Sequence, residues 1–199
     1  MNYQPTTAFN LGLRYESAVR LNYATRVTEA AQDSGTPALD AFPVQVLGQM
    51  GIVDGSKVRE DLPALLGLGL GYRPNQQWGV SFSYTYFLED RATLTADRFS
   101  DAGNSYDAAL AVEYRWSPRM LGSLGVMRSR IRLASDNLLP EAPELSATTW
   151  AMGLRWALRP QWALSVGALH ADYDDARDAA GIRYQKDLIA IALGVEHRI

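Results

Sequence analysis

Between residues 62 and 89 the chain reads LPALLGLGLGYRPNQQWGVSFSYTYFLE, and large and small side chains alternate along it. Leu66, Leu68, Leu70 and Tyr72 form one set, and Gly67, Gly69 and Gly71 form the other. Beyond RPNQQ the large set resumes with Trp78, Val80, Phe82, Tyr84, Tyr86 and Leu88, against Gly79, Ser81, Ser83 and Thr85. Successive side chains on a strand point to opposite faces, so the pattern predicts two antiparallel strands joined by a tight turn. A soluble sheet would carry charged and β-branched residues on its water face. Here a wall of large apolar groups opposes a nearly bare face, which fits a membrane barrel with lipid outside and a narrow, small-residue lumen.

The same alternation recurs along the chain. Residues 9–27 read as one long strand, with Phe9, Leu11, Leu13 and Tyr15 alternating with Asn10, Gly12, Arg14 and Glu16; a split near Ser17 is the alternative. Further strands are predicted at 105–116, 119–132, 146–158, 161–172 and 183–199, for about eight in all. Arg128 and Arg130 share the parity of Leu124 and Val126, which places them beyond the lipid. Residues 28–60 form a long loop. Leu39, Phe42, Val46, Leu47 and Met50 recur there at roughly helical spacing, predicting a short amphipathic helix with Pro43 near its first turn.

Loop lengths orient the array. The turns holding Pro74, Pro118 and Pro160 are short, whereas 28–60, 90–104, 133–145 and 173–182 are long. Short periplasmic turns and long extracellular loops mark outer-membrane barrels. Tyr72, Trp78, Tyr114, Trp116, Trp156 and Trp162 all flank the short turns, as an interfacial aromatic girdle would. An even strand number would leave both termini on that side. The predicted fold is therefore an all-β, antiparallel transmembrane β-barrel in a single domain, 1–199, in the outer membrane of a Gram-negative bacterium. A soluble barrel with its large residues turned inward is the alternative, and it would leave Gly, Ser and Ala as most of the exterior of several strands.

Composition narrows this further. Hydrophobic content of 47% with 21% charged residues argues against disorder, and a net charge of −3 gives no reason to expect nucleic acid. The absence of cysteine excludes a disulfide scaffold and thiolate metal sites. No run approaches the ~18–20 apolar residues of a spanning helix. The start, MNYQPTTAFN, has neither a basic segment nor an apolar core of a signal peptide. That is expected of a mature sequence with an added Met or, the favoured reading, of the C-terminal part of a longer chain.

The inward ionisable residues are Arg14, Glu16, Arg20, Arg26, Asp107, Glu113, Arg115 and Arg155. Arg14, Arg20 and Arg155 are the candidates to meet a carboxylate through charge-assisted hydrogen bonds. The competing reading has these groups pair with each other and with water. Leu39, Phe42, Val46, Leu47, Met50 and Ile52 either form an apolar capture groove or pack the loop onto the rim. His170 lies near Ser165, Asp172, Asp174 and Asp175, but spacing along one strand does not bring a triad together. The acidic run 172–178 lacks the glycine of a calcium loop. No catalytic residue, metal site or cofactor is expected.

Placed in order, these strands and loops resemble the C-terminal half of the FadL-type family of outer-membrane transporters of long-chain fatty acids and aromatic hydrocarbons. The resemblance is carried by YESAVRLNY before a long loop, by the strand start DLPALLGLGLGYRPNQQWGVSFSYTYF, and by the hairpins YDAALAVEYRWSPRMLGSLGV and WAMGLRWALRPQWALSVGALHADY. It implies passive diffusion of hydrophobic compounds through a monomer surrounded by outer-membrane lipid and lipopolysaccharide, without cofactor. It also implies that the 28–60 loop helps to form the family's outer, low-affinity groove. Family members are larger, with an N-terminal plug. Their chains usually end on an aromatic residue, where this one ends on Ile199, and often carry an acidic–arginine pair near the stretch that reads PEAPELS here. Two other readings remain at this point: a closed barrel of about eight strands with a filled interior, serving structure or adhesion, and a hydrolase at the barrel rim.

Overall fold

A computed structural model describes residues 1–27, 36, 53–59, 61–92, 103–132, 144–178 and 180–197. Its strands are β1 (Asn2–Thr6), β2 (Phe9–Glu16), β3 (Asn22–Ala24), β4 (Lys57–Arg59), β5 (Ala64–Tyr72), β6 (Trp78–Leu88), β7 (Tyr106–Ser117), β8 (Met120–Arg130), β9 (Ala147–Arg159), β10 (Trp162–Tyr173), β11 (Ala176–Arg177), β12 (Arg183–Tyr184) and β13 (Asp187–His197). Nine of them form one sheet in the order β1-β2-β5-β6-β7-β8-β9-β10-β13. Every pairing in it is antiparallel. The sheet is not closed on itself: among the described residues β1 and β13 are each paired on one side only.

The connections alternate in length as predicted. Residues 73–77, 118–119 and 160–161 are short turns, and long segments join β2 to β5, β6 to β7, β8 to β9 and β10 to β13. In the first short turn, Asn75 Oδ1 accepts the backbone N–H groups of Gln77 and Trp78, each at 2.9 Å. This Asx-type closure uses the side chain to finish what Pro74 begins.

The N-terminal region departs from the predicted single strand over 9–27. β2 stops at Glu16, Val19 makes an isolated bridge with Leu62, and β3 pairs with β4 in a separate small sheet. The chain divides near Ser17, where pairing with β5 ends at Glu16–Leu65; beyond it Val19 and β3 find their own local partners. An additional strand, β1, pairs with β2 through the tight Thr7–Ala8 connection. Its polar sequence NYQPT carries no alternation to reveal it. β1 runs toward the short-turn edge, so the first residue lies beside Leu13 rather than at that edge, and the count becomes nine rather than about eight. The predicted amphipathic helix, with Leu39, Phe42, Val46, Leu47 and Met50, falls outside the described residues.

The sheet has no conventional core. Among the described residues only Leu145, Ala147, Ala163 and Ala171 are buried hydrophobics, while Leu124, Trp150, Met152, Ile189, Ile191 and Leu193 are at least 60% exposed. These large side chains stand together on one face of the open sheet. No helix among the described residues is long and apolar enough to cross a membrane, a statement that leaves strands aside.

Candidate functional site

Register turns the sequence alternation into two faces. Leu110, Val126, Trp150, His170 and Ile189 lie side by side across five strands, and Val112, Leu124, Met152, Ala168 and Ile191 form the next row. These rows enclose a shallow, almost wholly apolar depression of about 470 Å³. Toward the short turns the apolar face ends in an aromatic belt. Trp78 lies 4.6 Å from Tyr114, Tyr114 is edge-on to Trp116 at 5.7 Å, and Trp162 lies 4.3 Å from His197. At the opposite edge Tyr84 stacks with Tyr86 and Tyr106 at 6.4 and 5.7 Å. Tyr84 and Tyr86 share a face of β6, as their alternation predicts, and the β6–β7 register adds Tyr106 to them.

The other face is lined by Gly67, Gly69, Gly71, Ser81, Ser83, Ala109, Ala111, Gly125, Gly153, Gly167 and Gly194. Leu65, Phe87, Leu121, Met127 and Leu169 interrupt this face, and between them the small residues leave open volume over the sheet. Charges gather at its short-turn end. Arg73 donates to Glu113 at 3.0 Å, directly over Gly79, where an added Cβ would lie 3.2 Å from the Glu113 carboxylate. Arg155 donates to Glu196 at 2.8 Å across the intervening strand β10. Beside this second pair is a polar cleft of about 430 Å³ that also holds Arg115, Arg119 and Arg159.

The three arginines singled out from the sequence do not converge. Arg14 stands on the small-residue face opposite Gly67, toward the loop edge, and pairs with Glu16. Arg20 lies outside the main sheet, exposed, between the Val19 bridge and β3. Arg155 is near the short turns, on a strand remote from β2. Leu39, Phe42, Val46, Leu47 and Met50 lie outside the described residues. The rim-hydrolase arrangement is not assembled: Ser165 and His170 are an odd number apart on β10, so Ser165 joins Arg155 on the small-residue face while His170 joins Trp150 on the apolar one.

The loop edge is tied by ion pairs. Arg128 donates to Asp174 and to Thr148 Oγ1, Arg183 donates to Asp175, and the Tyr184 hydroxyl donates to Asp178 at 2.8 Å. Asp174, Asp175 and Asp178 of the acidic run are therefore engaged by cations and donors of their own chain, and no group of three or more metal-ligating side chains occurs among the described residues. The guanidinium beside Asp174 holds its carboxyl below the usual range, against a smaller opposing effect of burial. Burial pushes the Glu89 carboxyl up, partly offset by hydrogen bonds from the Ser105 hydroxyl at 2.6 Å and backbone N–H at 3.0 Å.

No protein-family model matches the chain, and no curated protein does. Solved structures do. A crystal structure of a Pseudomonas aeruginosa FadL homologue matches 98% of this chain with a TM-score of 0.64 at 15% identity, over 50% of its own length. The TodX ΔS2S3 mutant, a monoaromatic hydrocarbon channel, matches 99% of this chain with a TM-score of 0.59 at 13% identity, over 48% of its length. The CymD monoaromatic hydrocarbon channel matches 99% with a TM-score of 0.51 at 13% identity, over 49%. The chain thus spans about half the length of the structures it matches. It has the antiparallel transmembrane β-barrel fold of FadL-type channels, as an open run of nine strands.

Proposed function

We propose that this chain is the wall of an outer-membrane channel that passes hydrophobic compounds by diffusion, without energy input and without a cofactor. The observation that carries the reading is the segregation of the two faces. An exposed apolar face bounded by aromatic belts suits lipid and the acyl part of lipopolysaccharide, and a face of Gly, Ser and Ala suits a lumen with room for a ligand. Two of the structural neighbours are monoaromatic hydrocarbon channels, which supports the same class of cargo. Chemistry is no part of the proposal, because Ser165 and His170 face opposite ways.

In this reading Leu39, Phe42, Val46, Leu47 and Met50 capture the ligand at the outer side. Arg14, Arg20 and Arg155 then meet the polar end of a long-chain fatty acid at successive points. The test is uptake by a Gram-negative host lacking its own long-chain fatty acid channel. Expression of the chain should place it in the outer-membrane fraction and raise uptake of labelled oleate and toluene, with no rise for a hydrophilic sugar. Absence from that fraction, or an equal rise for the sugar, overturns the proposal.

A further inference from the structure

The short-turn end of the small-residue face carries more positive charge than its own carboxylates neutralise. Arg115 on β7 and Arg155 on β9 both stand beside Leu121 of β8 in register, so their side chains rise from one level of one face. Arg119, in the β7–β8 turn, and Arg159, at the end of β9, border the same cleft, and Glu196 forms its acidic wall. Glu196 accepts from Arg155 at 2.8 Å. Arg115, Arg119 and Arg159 form no ion pair among the described residues. Elsewhere on this face Arg14 pairs with Glu16 and Arg73 with Glu113, and Asp107, near the loop edge, forms no ion pair among the described residues, so the surplus of arginine is confined to the short-turn end. Ala157 and Ala163 also line the cleft, and their small side chains leave it open.

Guanidinium groups stay charged at any working pH and present a planar fork that fits two oxygens of a carboxylate or phosphate. Clustered cations of this kind repel one another unless solvent, salt or an anion intervenes. We infer that the cleft bordered by Arg115, Arg119, Arg155, Arg159 and Glu196 is a binding site for an anionic group, carboxylate or phosphate, at the short-turn mouth of the lumen. The inference deepens the proposed function, in which Arg155 meets the polar end of a fatty acid, by naming the cleft that would receive an anionic head; it is read by direct titration, so its failure is distinguishable from a failure of uptake. An anion of either origin satisfies the cleft: the head of an amphiphile arriving along the lumen, or a free anion from the short-turn side.

The test uses the full chain in a nonionic detergent and titrates octanoate, octanol and inorganic phosphate by calorimetry, with Trp162, which lines the cleft, as a fluorescence reporter. Octanoate or phosphate should bind one per chain, more weakly as salt rises. The affinity should fall at least tenfold in Arg115→Gln/Arg159→Gln and rise in Glu196→Gln, where a competing carboxylate is gone. Octanoate at least tenfold tighter than phosphate identifies an amphiphile head as the guest, and comparable affinities identify a free-anion site; both support the inference. Octanol binding as tightly as octanoate with no phosphate binding overturns it, as does anion binding unchanged in the double variant. Arg159→Gln alone, at an exposed position beside a turn, keeps the test decisive if the double variant fails to fold; a threefold or greater loss is expected, and no loss overturns the inference.

Discussion

The indole of Trp116 lies across Gly122 on the neighbouring strand, so closely that a Cβ built on the glycine would meet Trp116 Cη2 at 2.3 Å. The register slips by one residue between Arg115 and Ser117, and this bulge frees Trp116 to swing over β8. Gly122 is buried beneath the ring, which then meets Tyr114 edge-on. Gly122→Ala should displace the indole from the belt and cost about 1–3 kcal/mol, the range for overpacking a filled site. The measurement is the urea midpoint in lipid vesicles, with tryptophan emission as a second readout. An unchanged midpoint and emission would show that Trp116 does not rest on Gly122.

Asp61 is 4% exposed and accepts two hydrogen bonds from the Arg59 guanidinium, at 2.9 and 2.6 Å. The pair sits where the β4 segment enters β5, beside the Val19–Leu62 bridge, whose backbone bonds are 3.0 and 2.8 Å. Losing the carboxylate would leave a half-exposed cation facing a buried gap. Asp61→Ala should therefore lower the urea midpoint modestly, since the half-exposed Arg59 can turn to water. It should also speed hydrogen exchange at the Val19 and Leu62 amides while leaving β9 and β10 protected. Uniform loss of protection across the sheet would refute this local role.

The strands were legible in the sequence wherever one face is uniformly large and the other uniformly small, as in β5, β6, β7 and β9. There a register slip would exchange the faces, so pattern and structure determine each other. Reading failed where that demand is absent. Segment 17–27 keeps some alternation after leaving the main sheet, and β1 has none yet pairs with β2. The candidate site was less visible than the fold. Arg155 was identified, but its partner Glu196 is 41 residues away and meets it only across β10. Arg119 and Arg159 read as turn residues, because the sequence does not say that two neighbouring short turns open onto one cleft.

Two carboxyls at the loop edge predict opposite pH responses. Asp174 is depressed by Arg128, so its contribution is present above the ordinary carboxylate range, near ~3.9, and is lost as the pH falls through its lower folded value. Glu89 is raised by burial, so its contribution is present below ~4.3 and is lost as the pH rises through its higher folded value. The Asp174 side chain is 51% exposed, and solvent screening limits its effect to about 0–1 kcal/mol. Urea midpoints between pH 3 and 7 provide the check. Asp174→Asn should flatten the acid limb below pH ~4, and Glu89→Gln should remove a decline on the alkaline side of its raised value. The reverse assignment of limbs would contradict the geometry described for either residue.

The orientation of the sheet in the bilayer rests on which face meets lipid, and a pair of neighbouring positions on β13 decides it. Leu193 lies on the apolar face opposite Val166 and is 83% exposed, whereas Ala192 lies on the small-residue face opposite Gly167. On β8 and β9, Leu124 and Met152 occupy the middle rows between the tryptophan and tyrosine belts. A charge placed on the lipid side near the midplane costs about 2–4 kcal/mol, whereas a lumen-side polar group remains hydrated. Leu124→Arg and Leu193→Arg should therefore lower the folded fraction in lipid vesicles, as read by heat-modifiable migration, while Ala192→Ser should leave it near that of the parent chain. If Ala192→Ser were the damaging change and both arginine variants folded normally, the apolar face would have to be turned inward, and the lumen would have to be lined by leucine and tryptophan.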